Sequence, residues 1–295
     1  MFNEKGKGEI LRGGFNDYIY ILDLKSAKDM EIKFLRRAVL IGLFFYLPFH
    51  SMGWGMLGHR IVGEIAERYL TPTAKKAVMQ ILGTESVAMA SNWADFIKSD
   101  STFNYLSPWH YLNIKDGLNY VEFQDYLKKD TVADANTKLT FLVKELKNKK
   151  LPKDKKLLYL RLLIHIVGDI HQPMHVSRAE DQGGNRIRVM WFNEPSNLHR
   201  VWDDQLIEYQ KLSYTEYVKV LDHTYAKQNL AWQKQPISQW FFESYQISHT
   251  LYNEIRNPDE KLSYRYNFDH VQILNEQLLK GGIRLAGLLN EIFGK

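Results

Sequence analysis

The chain has 295 residues, of which 45% are hydrophobic and 25% are charged, and its formal net charge is +5 at pH 7. This modest charge excludes a protein that holds nucleic acid mainly through a large overall positive charge. Cysteine is absent, which excludes disulfides, thiolate metal ligands and a lipid-modified N-terminal cysteine. No Pro/Gly/Ser-rich linker and no internal repeat divides the chain, so we expect one domain with a sizeable core.

Residues 30–53 have the pattern of a secretory signal. A basic stretch is followed by the apolar run Ala38–Phe49, and Ser51 and Gly53 are small residues at the −3 and −1 positions of a cleavage site before Trp54. The twelve-residue run is short against the ~20 residues that span a bilayer. We therefore expect export to the periplasm or the medium, with no membrane span in the mature chain, rather than a membrane anchor.

Residues 1–29 fit no part of that signal, and we interpret them as a mis-assigned or disordered extension before a true start at Met30. The mature chain would then be a single domain, 54–295, of 242 residues. Removing residues 1–53 takes away eight Lys/Arg and six Asp/Glu, which leaves a net charge of +3.

Apolar residues recur at helical spacing along most of the chain and predict a mainly α-helical fold. The predicted helices are Ile61–Leu70, Thr73–Leu82, Val121–Tyr126, Ala133–Lys147, Lys155–Ile170, Tyr214–Leu230, Gln239–Asn257 and Asp269–Phe293. The exception is Asn185–Phe192, where alternation after two glycines favours a short strand or hairpin. Several aromatic residues late in the chain are expected to pack in the core: Trp232, Trp240, Phe241, Phe242 and Tyr245.

The segment Leu160–His175 contains three histidines and an aspartate among many aliphatic residues. His165 and Asp169 are four residues apart, so a helix places both side chains on one face. Pro173 is expected to end this helix and to let His175 approach from another direction. A satisfied core histidine would explain one such residue. For the whole cluster, metal is the better explanation, because zinc takes neutral imidazole nitrogen and carboxylate oxygen.

Further motifs surround this segment. His199 and Asp203, in NLHRVWD, repeat the four-residue spacing at the start of another helical stretch. Upstream are WGMLGH, which begins at Trp54, WAD, which ends at Asp95, and WHY, which begins at Trp109. Each match is weak alone, since a Trp beside a His or Asp is usually ordinary packing.

Taken in order, WGxxGH, WAD, WHY, HxxGDxHQPxH, GGN and NLHxxWD resemble the zinc-dependent single-strand nucleases of the S1/P1 family, which are related more distantly to bacterial zinc phospholipases C. The resemblance runs from Trp54 to near the C-terminus. It implies an all-α, multi-helix fold with a short β-hairpin near a trinuclear zinc site. The family binds one metal through the free amino group and carbonyl of an N-terminal Trp, which matches Trp54 at the expected cleavage point. Without cysteines or an Asn-x-Ser/Thr sequon, this chain is expected to be a bacterial relative.

Three Zn²⁺ ions and nine ligands are implied by the resemblance. Asp95, His110, His165 and Asp169 would hold one ion; His175, His199 and Asp203 would hold its close partner; and Trp54, His59 and Asp169 would hold the third. Within the same motif, His171 is expected to have a hydrogen-bonding or core role instead. Outside the motifs, His223, His249 and His270 are expected to be structural or surface residues.

In that scheme the metals carry the chemistry. Two close ions activate a water for in-line attack on phosphorus, and the third stabilises the departing 3′ oxygen. Asp95 and Lys98 are the implied catalytic residues, and Lys98 would neutralise charge on the phosphoryl oxygens. The nearby basic residues Arg186, Arg188 and Arg200 could widen the positive zone, although a solvated surface position is the expected one for each.

Substrate binding is expected to involve Tyr111 and Asn113. Tyr111 matches an aromatic position that stacks on a base, which contributes ~1–3 kcal/mol with little sequence preference. Asn113 stands where the family has an acidic residue that hydrogen-bonds the base edge, and an amide both donates and accepts where a carboxylate only accepts. We therefore expect a base preference that differs from that of the relatives. The alternative is that both residues only pack near the site.

The sequence thus predicts an exported zinc endonuclease that cleaves single-stranded DNA and RNA to 5′-phosphate products, with 3′-nucleotidase activity on nucleotides. No stable protein partner is implied. Two alternatives stay open: a zinc phospholipase C, which needs a choline-phosphate pocket and an apolar rim, and a non-catalytic zinc-binding exported protein, for which Lys98 would be superfluous.

Overall fold

Helices dominate the computed structural model, which describes residues 54–294. The predicted signal and the extension before it lie outside the described residues. In chain order the α-helices are α1 (Met56–Arg68), α2 (Pro72–Leu82), α3 (Val87–Ala90), α4 (Trp93–Phe96), α5 (Tyr120–Lys129), α6 (Ala135–Leu146), α7 (Lys153–Asp169), α8 (Leu198–Arg200), α9 (Leu206–Tyr209), α10 (Tyr214–Leu221), α11 (Ala226–Gln233), α12 (Ile237–Glu254) and α13 (Tyr264–Phe293). The prediction of an all-α fold is confirmed.

Between residues 54 and 294 the β-structure consists of short strands: β1 (Leu112–Asn113), β2 (Val176–Ser177), β3 (Arg188–Trp191), β4 (Glu194–Asn197) and β5 (Glu260–Leu262). β1 and β2 pair in parallel, and β3 pairs with β4 antiparallel and with β5 in parallel. The β3–β4 hairpin confirms the strand predicted within Asn185–Phe192. Its turn residues Phe192 and Asn193 have φ angles of 48° and 70°, the left-handed conformation that tight hairpins require.

Helix α7 is the central element, and from Leu160 to its end at Asp169 all residues but Arg161 are buried. It packs against α1, α6 and α13. Being surrounded on all sides explains why its sequence there is apolar all round rather than amphipathic. The polar side chains His165 and Asp169 therefore lie inside the protein and must find partners there.

Helices α1 and α13 approach each other closely. A Cβ atom on Gly282 would lie 2.4 Å from Cβ of Ile65, so only glycine fits at this contact. Ile61, Val62 and Ile65 of α1 are fully buried, as are Ile283 and Leu285 of α13. This apolar contact fixes α1, which carries His59, within the core.

Among the helix boundaries that differ from the predictions, three are informative. The first helix was predicted from Ile61 but begins at Met56, so His59 lies on α1. The glycines near its start weakened the helical pattern. Gly58 is needed for close packing, because a Cβ atom there would lie 2.9 Å from Cδ1 of Ile207 and 3.0 Å from Cβ of Trp54. The predicted helix Tyr214–Leu230 was wrong, since α10 ends at Leu221 and α11 begins at Ala226. Between them, Asp222 accepts hydrogen bonds from Tyr69 Oη at 2.5 Å and from Arg68 Nη1 at 3.3 Å, tertiary contacts that no local pattern records.

The third difference concerns Pro173, which does not end α7. The helix ends at Asp169, and Pro173 begins the separate 3-10 turn Pro173–His175, where the fixed φ of proline suits the first position. The expected consequence holds, because His175 enters the site from this turn. Within residues 54–294, no helix is long and apolar enough to cross a membrane.

Candidate metal centre

Eight buried histidine and aspartate side chains meet beside the end of α7. His165 and Asp169 come from α7 itself, His59 from α1 and Asp95 from α4, while His110 ends the 3-10 segment Ser101–His110. The other three, His175, His199 and Asp203, follow α7 in the chain. All eight are at most 8% exposed, so their polar atoms face one another rather than water.

Asp169 is the carboxylate around which the histidines gather. Its Oδ2 lies 3.0 Å from Nδ1 of His110 and 3.1 Å from Nε2 of His165. Its Oδ1 lies 3.3 Å from Nε2 of His59 and 3.7 Å from Nδ1 of His175. Each carboxylate oxygen of Asp169 thus faces two imidazoles.

Asp95 completes this half of the centre. Its Oδ2 is 3.8 Å from Nε2 of His59, and its Oδ1 is 3.7 Å from Nε2 of His165. Lys98 donates a hydrogen bond to Oδ1 of Asp95 at 2.6 Å. The ligand atoms of His59, Asp95 and His165 lie within 4.8 Å of one another, as do those of His110, His165 and Asp169.

A third group of ligand atoms, also within 4.8 Å, comes from His175, His199 and Asp203. Nε2 of His199 lies 3.1 Å from Oδ2 of Asp203, and Nε2 of His175 lies 3.8 Å from Oδ1 of Asp203. The four-residue spacing of His199 and Asp203 survives although the helix widens into a π-turn at Val201–Gln205, a deviation often found at functional sites.

Backbone carbonyl groups orient three of the imidazoles. Nδ1 of His165, His175 and His199 each lies 2.6 Å from a carbonyl oxygen, those of Ser91, His110 and Gly183 respectively. A carbonyl oxygen can only accept, so each Nδ1 carries the hydrogen and each Nε2 is left with its lone pair. Holding a histidine by its other nitrogen in this way is typical of metal ligands.

Burial and charge set the protonation of these groups. Burial lowers the pKa of His110 to about 4 and that of His175 to about 3, so both imidazoles are neutral at pH 7. Burial alone would raise the pKa of Asp169, but attraction from His165 holds it well below its usual value. Asp169 and Asp95 in turn raise the pKa of His165 despite its burial. Neutral His110 and His175 beside an ionised Asp169 are the protonation states that divalent metals need.

Burial raises the pKa of Asp203 to about 7, despite the opposing attraction of His199. The positive charge around Asp203 is thus too small to keep its carboxylate fully ionised at pH 7. A cation beside it would supply that charge and favour the ionised form.

Unpaired buried atoms show that the residues fit metal ions. Within the part of the chain that the structure describes, several buried ligand atoms have no hydrogen-bond partner: Nε2 of His59, His110 and His175, and one oxygen each of Asp95 and Asp169. An unpaired buried polar atom costs about 1–3 kcal/mol. Their concentration in one place is explained if they coordinate cations.

Two glycines make room for the imidazoles. A Cβ atom on Gly168 of α7 would lie 2.7 Å from Nδ1 of His59. Gly183 has a φ of 62°, and a Cβ there would lie 2.4 Å from the carbonyl oxygen of Met174 and 3.4 Å from Nδ1 of His199. Gly183, in the predicted GGN motif, therefore allows its carbonyl to reach His199.

The remaining predicted site residues lie around this centre. Trp54 is fully buried, and the peptide N–H that follows it, on Gly55, donates to the carbonyl of Asp203 at 2.9 Å. Tyr111 directly follows His110 and is half-buried, whereas Asn113 on β1 is exposed. Of the basic residues near the motifs, Arg186, Arg188 and Arg200 are all exposed.

Two polar residues with clear roles escaped the sequence analysis. Gln172 is fully buried, donates to Oδ1 of Asp203 and accepts from the backbone N–H of Met174 at 2.5 Å. Arg284, on distant α13, places Nη1 3.0 Å from Nε2 of His171. Gln172 stands inside the HQPMH motif and could have been noticed there, but no local signal links Arg284 to His171.

Comparisons with known proteins show the family of the chain. The S1/P1 Nuclease family model matches residues 54–294. Endonuclease 2 of Arabidopsis thaliana is 31% identical over 291 residues, covering 87% of this chain and 96% of that protein. Nuclease S1 of Aspergillus oryzae is 28% identical over 272 residues, covering 82% and 92%. Nuclease P1 of Penicillium citrinum is 27% identical over 266 residues, covering 82% and 98%.

The helical scaffold with its buried His/Asp centre is that of a metal-dependent hydrolase. The chain belongs to the S1/P1 nuclease family, whose members hydrolyse phosphodiester bonds. The family match confirms the resemblance inferred from the motifs and favours a nuclease over a phospholipase C.

The position of Asp169 generates a prediction about metal content. Asp169→Asn should lower the bound metal per chain more than His59→Ala does, because the carboxylate faces four imidazoles and supplies the negative charge that offsets repulsion between cations. His249→Ala is the matched control, since His249 is a half-exposed histidine paired with Asp116 outside the centre. Elemental analysis of the purified proteins measures the effect. Unchanged metal content and normal turnover in Asp169→Asn would contradict the bridging position.

Proposed function

We propose that this protein is an exported nuclease that holds three zinc ions and cleaves single-stranded DNA and RNA to 5′-phosphate products, with 3′-nucleotidase activity. The observation that carries the proposal is the convergence of eight buried His and Asp side chains, five of which present a buried ligand atom without a hydrogen-bond partner among the described residues. Family membership and the similarity to Nuclease S1 and Nuclease P1 support the reaction class.

The donor set favours zinc. It combines neutral imidazole nitrogens with carboxylates and contains no thiolate, and zinc accepts both ligand types in open catalytic sites. Three groups of close ligand atoms support three ions: His59, Asp95 and His165; His110, His165 and Asp169; and His175, His199 and Asp203. In the proposed arrangement Asp169 would serve two ions, and the backbone of Trp54 would complete the group that contains His59.

When bound, zinc ions activate water and stabilise charge on phosphoryl oxygens. This chain's own residues supply the rest. The carbonyl-held imidazoles of His165, His175 and His199 keep fixed orientations, which limits the reorganisation needed during reaction. The ammonium of Lys98 lies against Asp95 and its side chain is 20% exposed, so it can reach a phosphoryl oxygen and neutralise charge there.

One assay on the purified protein tests the function. Hydrolysis of single-stranded DNA, duplex DNA and phosphatidylcholine is measured with and without a metal chelator. We expect chelator-sensitive cleavage of the single strand, little cleavage of the duplex and none of the lipid. Lipid hydrolysis would favour a phospholipase C, and an inert protein that still binds zinc would favour a non-catalytic zinc-binding role.

Tyr111 is proposed to enforce the preference for single strands. Stacking on a base requires that the base has left its neighbours, and extracting one from a duplex costs a few kcal/mol. Tyr111→Ala should therefore raise KM for single-stranded oligonucleotides by about tenfold, in line with the free energy of one stacked base. Zinc content should not change.

A small phosphodiester that lacks any base is the control substrate for Tyr111→Ala, because its hydrolysis should barely respond. Equal losses on both substrates would mean that Tyr111 supports the site structurally. The exposed Asn113 is proposed to contact the edge of the same base, where its amide can donate as well as accept.

We further propose that the mature chain begins at Trp54, after export to the periplasm or the medium. The signal pattern supports this cleavage point, and so does the short distance between the Gly55 peptide and Asp203. A free α-amino group at Trp54 could bind metal, whereas an amide nitrogen is a poor ligand. Mass spectrometry of the exported protein should find Trp54 first. A variant with one residue added before Trp54 should lose one zinc and most activity, and full activity in that variant would contradict the ligand assignment.

A further inference from the structure

A cleft with a volume of about 450 Å³ lies beside the β3–β4 hairpin, and four arginines line it: Arg178, Arg186, Arg188 and Arg256. The other lining residues are aliphatic, aromatic or amide side chains, and none is acidic. We propose that this cleft binds backbone phosphates of the nucleic-acid strand outside the linkage that is cleaved. The proposal rests on the proposed function and extends it to how a long substrate is held.

Arg178 is the most firmly placed of the four arginines. Its Nη2 donates to Oδ2 of Asp116 at 2.5 Å, and its guanidinium carbon lies 4.2 Å from the centre of the Tyr252 ring. Tyr252 is itself held, because its hydroxyl donates to Oδ1 of Asp181 at 2.7 Å. The Nε–H of Arg178 is buried and meets no acceptor within residues 54–294. The arginine is thus preorganised and still has a donor to satisfy.

The other three arginines are exposed and weakly engaged. Arg188 pairs with Asp259 at 2.9 Å, and both side chains are more than half exposed. Nη1 of Arg186 donates to the carbonyl of Glu180 at 3.3 Å. Arg256 forms no ion pair with any residue between 54 and 294. Exposed ion pairs are weak and screened by salt, so a phosphate can engage these guanidinium groups at little cost.

The cleft shares its backbone segments with the metal centre. Arg178 follows His175 by three residues, and the strand between them, β2, is tied to Tyr252 through a 3.0 Å hydrogen bond from Ser177 Oγ. On the other side, the carbonyl of Ile187, which also lines the cleft, accepts from the N–H of Leu198, the residue before His199. The segments that hold His175 and His199 therefore also form the wall of the cleft.

The backbone segments shared by the cleft and the metal centre indicate that the occupant of the cleft is part of the same nucleic-acid strand. Guanidinium groups bind phosphate through paired hydrogen bonds. A polynucleotide carries one phosphate group at each nucleotide. A strand with one linkage at the metal centre can place neighbouring phosphates against a wall built from the same segments. The chain's net charge is only +5, so a local cluster of arginines attracts a nucleic-acid strand more strongly than the overall charge of the protein does.

The experiment compares a long and a short substrate. The double variant Arg186→Gln plus Arg256→Gln removes the two arginines without an acidic partner and leaves the metal ligands untouched. The control, Lys149→Gln plus Lys150→Gln, removes two charges from exposed positions between α6 and α7. KM and kcat are measured for a single-stranded 20-mer and for a dinucleotide over a range of salt concentrations.

We expect the arginine variant to raise KM for the 20-mer about tenfold at low salt, with kcat unchanged, and to reduce the slope of log KM against log salt by about 1.4, since each lost phosphate contact on a single strand accounts for ~0.7. KM for the dinucleotide should not change, because it is too short to reach the cleft. The lysine control should behave as the unmodified protein on both substrates.

Two results would overturn the cleft proposal: an unchanged KM for the 20-mer, or an equal rise for the dinucleotide. Both leave the proposed function standing, because the unmodified protein still cleaves nucleic acid. Failure of the unmodified, zinc-loaded protein to hydrolyse either substrate is a different outcome, which overturns the proposed function.

Discussion

The carboxylate of Asp169, buried without solvent among four imidazoles, is the constraint on which the rest of the structure depends. An isolated ionised carboxylate in a protein interior costs many kcal/mol, so it persists only with compensating partners. Here the partners come from three separate parts of the chain, and their unpaired ligand atoms leave positions for cations. Removing any one imidazole would leave part of the Asp169 charge without a compensating partner. The stability of each group in the site therefore depends on the others.

The scaffold serves this centre by being rigid where ligands originate. Helix α7 is buried on all sides and supplies two ligands from one face. α1 is fixed by its close contact with α13, and Gly168 lets His59 lie against α7. The more irregular segments, the Pro173–His175 turn and the π-turn after His199, carry the remaining ligands. Regular elements thus provide the base of the centre, and distorted ones carry ligands in from other directions.

The sequence predicted the helical class, the β3–β4 hairpin and the site residues that meet beside the end of α7. These features could be predicted because periodicity and residue spacing within short segments indicate them. Four-residue spacing places His165 with Asp169 and His199 with Asp203 whatever surrounds them. The break at Asp222 was not predictable, because it depends on Tyr69 and Arg68, more than 150 residues away in the chain. The roles of Gln172 and Arg284 depend likewise on partners that only the fold brings near.

What the sequence determined by itself was the set of chemical groups and their short-range spacing, since side-chain type and helical geometry are fixed by the chain alone. It also determined the family, through the order of motifs from Trp54 to Asp203. The tertiary structure decided which oxygen of Asp169 faces which imidazole, which nitrogens are held by carbonyls, and that four arginines line one cleft beside the same segments. These relations join residues far apart in the chain, and long-range packing alone sets their distances.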